Sequence, residues 1–83
     1  MKENIKAVAL KYPENKEAPV IAAREKGLLA ERMLQIAREN NIPVVEDSLL
    51  TDVLTTAEIG ECIPEETWKA VASIFAYIQR VEN

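Results

Sequence analysis

A lone cysteine is the tightest constraint on this sequence: with Cys62 as its only thiol, the chain cannot staple itself with an internal disulfide. Its 83 residues must hold together through one hydrophobic core, since a domain of this size buries only about 60–65% of the surface it exposes when unfolded. Secreted domains this small ordinarily carry disulfides, so the cysteine count points to a cytoplasmic protein. No apolar run approaches the roughly 18 residues that cross a bilayer, and Met1-Lys2-Glu3-Asn4 lacks the apolar centre of a signal peptide. An apolar fraction of 48% beside 29% charged residues belongs to a chain that folds and not to one that stays disordered. With no internal repeat or low-complexity stretch, residues 1–83 are expected to form a single domain.

The apolar periodicity predicts the elements. Lys6 to Tyr12 places Val8, Leu10 and Tyr12 on one face and Ala7 and Ala9 on the other, the alternation of a strand. The polar stretch Pro13–Glu17 is a loop, and Val20-Ile21-Ala22-Ala23 reads as a second strand. From Gly27 to about Asn40, Leu29, Met33 and Ile36 recur with Leu34 and Ala37 at helical spacing. Asn40-Asn41 can supply a left-handed terminus, with Pro43 beyond it. Ile42-Pro43-Val44-Val45 reads as a third strand, making a βαβ unit with strands two and three parallel. Asp47 or Ser48 caps a short helix that ends before Gly60. A last helix starts at Pro64, with Glu65 and Glu66 in its first turn and a wide apolar face from Trp68 to Val81 that calls for burial. The expected class is α/β: a small mixed sheet of about three strands containing a βαβ unit, with helices packed against it.

What the chain lacks narrows its chemistry. It has no histidine, which removes the commonest general base, the commonest zinc ligand and every Ser-His or Cys-His nucleophile pair. Two glycines, Gly27 and Gly60, build neither a P-loop nor a dinucleotide fingerprint. Cys62 lies between Glu61 and Ile63, amid acids and not the cationic groups that activate a thiol, so it reads as structural. No catalytic, cofactor-binding or metal-binding residue is assigned, and no enzymatic activity is expected.

Charge is uneven. Residues 1–38 carry eight of the ten Lys and Arg against five acids, while 39–83 carry two against nine. With a net charge of −4, a phosphate-backbone footprint is unsupported and nucleic acid is not an expected partner. The acidic run that includes Glu46, Asp47, Asp52, Glu58 and Glu61 has three readings: helix capping and solubility, a docking face for a basic partner, or collection of a hard cation, for which calcium-loop spacing is absent.

The segments Ala7-Val8-Ala9-Leu10-Lys11-Tyr12, Ala18-Pro19-Val20-Ile21, Ile42-Pro43-Val44-Val45-Glu46, Glu58-Ile59-Gly60 and Ile63-Pro64-Glu65-Glu66 together resemble the cytosolic C-terminal domain of the FlhB/YscU family. Those are the specificity-switch proteins of flagellar and virulence type III export machines. The resemblance runs from Ala7 to about Arg80, with Leu29-Ala30-Glu31 and Lys69-Ala70-Val71-Ala72 adding to it. In that family an Asn-Pro-Thr-His motif precedes the first strand and cleaves its own backbone. Here Lys2-Glu3-Asn4-Ile5 occupies those places, so self-cleavage is not expected. Asp52 also stands where a basic residue is usual.

The resemblance implies a free-standing copy of the domain that binds export-apparatus proteins or export substrates and contributes to export or specificity switching. It also implies a cytoplasmic location, peripheral at the export apparatus on the inner-membrane face and without membrane insertion. The candidate contact residues are Lys6, Val8 and Lys11 on the first strand, Glu14 and Lys16 in the loop, and Glu46, Asp47, Asp52, Glu58 and Glu61 in the acidic run. A sheet edge left open beside the first strand would permit strand addition, pairing into a homodimer included. Two alternatives are a competitive regulator of a full-length switch protein and a small metal-dependent factor.

Overall fold

The computed structural model describes residues 5–82, so Asn4 and the self-cleavage question lie outside the described residues. Two strands, β1 (Lys6–Lys11) and β2 (Val20–Lys26), pair antiparallel. They are followed by α1 (Leu28–Glu39), α2 (Ser48–Leu54), and a 3-10 turn at Glu65–Thr67 that runs into α3 (Trp68–Glu82). A small sheet with helices packed against it is the expected class.

The strand pairing contains one irregularity that decides which residues reach the core. Ala9 opposes Ala23 and Leu10 opposes Ile21, leaving Ala22 as the extra residue of a bulge. Because faces alternate along a strand, that extra residue turns Ile21 to the same side as Leu10. Ile21 is 1% exposed there. It forms the core with Ala18, Leu54, Ala57, Ile63 and Val71, while Val8, Leu10, Leu50 and Phe75 pack against it.

The helix ends follow from local chemistry. Gly27 holds φ at 66°, a value glycine adopts without penalty, and donates to the Ile5 carbonyl while its own carbonyl accepts from the Glu31 amide. At the other end of α1, Asn41 takes the left-handed conformation with φ 59°. The Ile42 amide reaches back to the Ala37 carbonyl at 2.9 Å and the Asn41 amide to Arg38 at 3.3 Å, the double bond of a Schellman terminus. Asp47 caps α2, its Oδ1 accepting from the Leu50 amide at 3.0 Å.

The third strand differs from expectation. Ile42–Val45 is exposed and belongs to no strand, so among the described residues no βαβ unit forms and the sheet is not mixed. The free edge of β2 is taken instead by Gly60–Ile63. Gly60 donates to the Ile21 carbonyl at 2.8 Å, Ile21 to Glu61 at 2.9 Å and Ile63 to Pro19 at 2.9 Å, with Val20 bridged antiparallel to Cys62. Gly60, at φ 92°, permits the turn that brings this segment in. A segment with Pro43 lacks one donor and loses the competition for that lane.

The apolar face of α3 is also less buried than its pattern predicts. Val71 is buried and Ile74, Phe75 and Ile78 are half-buried, but Ala70 and Tyr77 are exposed. Trp68 keeps 37% of its surface, with its indole N–H donated to the Ile63 carbonyl at 3.0 Å.

Candidate functional site

The unburied part of α3 faces a groove. Ala18 and Pro19, just before β2, are buried and form one wall with Tyr12 and Glu17; Trp68, Ala72, Phe75, Ala76 and Gln79 of α3 form the other. The cavity measures about 500 Å³ and is open to solvent. Ala72 and Ala76 lie one helical turn apart, and their short side chains create the depression between the aromatic groups. Tyr12 and Phe75 close one side with ring centroids 6.2 Å apart and planes tilted by 47°. Tyr12 is held by its hydroxyl, which donates to the Glu17 carbonyl at 3.2 Å.

This is a largely apolar, aromatic-walled depression, with polar groups at Glu17, Gln79, the Tyr12 hydroxyl and the Trp68 indole. Its volume falls in the range of pockets that take small ligands or a few side chains, about 300–1,000 Å³. Its walls suit binding by contact.

The ten candidates named from the sequence lie elsewhere. Lys6 and Asp52 meet, Nζ to Oδ1 at 3.0 Å. Asp47 is committed to the α2 cap. Glu58 pairs with Arg24 at 3.2 Å, and the Glu61 Oε1 accepts from the Glu58 amide at 2.8 Å. Lys11, Glu14, Lys16 and Glu46 are exposed, and Val8 is half-buried against the core. Half of the set is thus engaged within the chain, and among the described residues no group of His, Cys, Asp and Glu is arranged to hold a metal.

The groove residues escaped the sequence reading because Trp68 and Phe75 look like core and alanines look like neutral helix formers. The signal was their combination, aromatics three or four positions from exposed alanines. At the other edge of the sheet, β1 pairs with β2 alone among the described residues. Lys6 and Lys11 stand at the two ends of that open edge, a placement that discourages casual strand pairing. No helix among the described residues is long and apolar enough to cross a membrane.

Comparison with known proteins was then informative. The model of the FlhB HrpN YscU SpaS family matches residues 5–78. Flagellar biosynthetic protein FlhB of Aquifex aeolicus is 45% identical over 74 residues, covering 87% of this chain and 21% of that protein. The Bacillus subtilis protein YlqH, described as uncharacterized, is 35% identical over 79 residues and is covered over 85% of its length, with 94% of this chain. The crystal structure of the cytoplasmic domain of FlhB from Shewanella putrefaciens superposes with a TM-score of 0.84 at 33% identity, over 88% of this chain and 62% of that one. The chain spans about a fifth of the length of the FlhB relatives. A family match across most of the chain, a shared fold and the ordered segments from Ala7 onward agree: this chain belongs to the FlhB HrpN YscU SpaS family.

Proposed function

We propose that this chain is a protein-binding domain of a flagellar-type export apparatus, whose groove between the Tyr12–Pro19 segment and α3 holds a short apolar segment of an export substrate or export-apparatus protein. The observation that carries the reading is the groove itself. Three aromatic rings stay partly in water around two alanines, when a chain with so small a core gains most by burying them. Family membership supplies the context, export or substrate-specificity switching in the cytosol.

The test is an amide NMR titration with export substrates and with the cytosolic domain of the export gate, using wild type and Ala72→Leu. Ala72 is exposed, so leucine is accommodated by the fold while its added side chain fills the depression. Shifts at Tyr12, Ala18, Trp68 and Ala76, with at least about tenfold weaker binding of the variant, support the reading. Binding that maps elsewhere and ignores Ala72→Leu overturns it.

A second reading makes the domain a competitor of a full-length switch protein for the same ligands. Excess protein in an export assay separates the two, since a competitor lowers export and a positive factor supports it.

A further inference from the structure

The charge that reaches the groove is a single carboxylate. Glu17 lines it on the side of the sheet, and no Lys, Arg or second acid stands among the lining residues. The cations nearest in sequence are turned away. Lys69 and Arg80 each follow a lining residue of α3, Trp68 and Gln79, and one residue along a helix carries a side chain about 100° around the axis. Lys16 precedes Glu17 and is exposed without lining the groove.

The neutral polar groups of the walls are spent within the chain. The Tyr12 hydroxyl donates to the Glu17 carbonyl at 3.2 Å, and the Trp68 indole N–H donates to the Ile63 carbonyl at 3.0 Å. The first of these bonds ties the Glu17 backbone to the Tyr12 ring, which gives the carboxylate a fixed origin on the wall. Gln79 both donates and accepts, so it does not sort ligands by charge. The exposed portions of the Tyr12 and Trp68 rings add to the same preference as Glu17, because the face of an aromatic ring attracts a cation.

On the reading of the groove as a peptide-binding site, we propose that Glu17 makes it selective for apolar segments that carry a lysine or arginine beside the apolar anchor. The apolar residue lies over Ala72 and Ala76, where burial among the rings supplies affinity. The basic side chain lays its methylene stem along the aromatic wall and keeps its charged end at the rim, beside the Glu17 carboxylate. A segment with an acid at the same place meets a like charge there. Affinity thus comes from the apolar anchor, and the choice between segments of similar hydrophobicity comes from Glu17.

The test titrates the chain with three capped peptides that share a Leu-Ala-Leu centre, flanked on both sides by lysine, glutamine or glutamate, and follows the amide NMR spectrum at constant ionic strength. All three are expected to shift Ala72 and Ala76. The lysine peptide binds about two- to fivefold more tightly than the glutamine peptide, the scale of one exposed ion pair, and the glutamate peptide binds more weakly. Glu17→Gln, whose backbone carbonyl still accepts from Tyr12, removes that order and leaves the glutamine peptide unchanged. Glu46→Gln makes the same change of net charge at an exposed residue outside the groove and preserves the order. Equal affinities, an order that survives Glu17→Gln, or one that Glu46→Gln also removes overturns the charge selectivity and leaves the groove standing as a binding site. If no peptide shifts the groove amides, the selectivity and the peptide-binding reading fall together.

Discussion

Removing the Arg24 guanidinium is expected to cost this domain about half of its stability. Arg24 donates to the carbonyls of Thr55, the C-cap of α2, at 2.7 Å and of Ala57, just beyond it, at 2.9 Å, and so ties the end of that helix to β2. Hydrogen bonds from a charged donor contribute about 1.5–3 kcal/mol each. With a third of the side chain in solvent (33%), the two together come to about 2–4 kcal/mol after discounting. Against a total on the order of 5 kcal/mol, Arg24→Met lowers the melting temperature by about 8–32 °C, at roughly 4–8 °C per kcal/mol for a domain this size. The control is Glu58→Gln. That carboxylate is 72% exposed, and the ion pair it makes is worth about 0–1 kcal/mol. Urea unfolding followed by far-UV circular dichroism measures both. If Arg24→Met falls within about 0.5 kcal/mol of wild type, or if Glu58→Gln costs as much, then the carbonyl clamp is not what holds α2 to the sheet.

Three further outcomes follow from single residues. Gly60→Ala is expected to cost about 1–2 kcal/mol, the penalty of a left-handed backbone for an L residue; a Cβ there meets nothing within 4 Å, so the crystal structure of the variant should show no displaced neighbour. Asp47→Ala loses the α2 cap and about 1 kcal/mol, while Asp47→Asn stays close to wild type; equal losses in urea unfolding would show that the carboxylate charge, and not the cap, is what matters. A ligand occupying the groove at about one hundred times its Kd should add about 2.7 kcal/mol to stability, read as a raised melting temperature that Ala72→Leu abolishes.

The elements that the sequence reveals are those fixed by neighbours along the chain. The end of α1 at Asn40-Asn41 and the Asp47 cap each depend on contacts within five residues, and both stand where the sequence puts them. The third strand depends on a contest between distant segments. Ile42–Val45 has the apolar content of a strand, whereas Gly60-Glu61-Cys62-Ile63 has no alternating pattern, yet the latter wins the lane because Leu54, Ala57 and Ile63 anchor it into the core beside Ile21. The Lys6–Asp52 pair spans 46 positions, and no local pattern in the acidic run marks which carboxylate finds a cation.

The groove was hidden for a related reason. A depression is made by what a position lacks, and Ala72 and Ala76 carry no signal beyond helix preference. Once the fold is known, the logic becomes visible in the balance of large and small residues. Among the described residues, four of the nine buried hydrophobic core residues are alanines: Ala7, Ala18, Ala30 and Ala57. Trp68, Tyr12 and Phe75, the largest apolar groups among the described residues apart from Tyr77, stand at the groove instead. A chain selected for stability alone would have exchanged these positions, placing rings at the alanine sites and small residues on the surface. Leaving the rings half in water weakens a domain that has little stability to spare, and a partner that covers them restores the missing contact area. On the proposed reading, binding and folding in this domain draw on the same side chains, which gives a physical reason for a core this small to accompany an apolar groove.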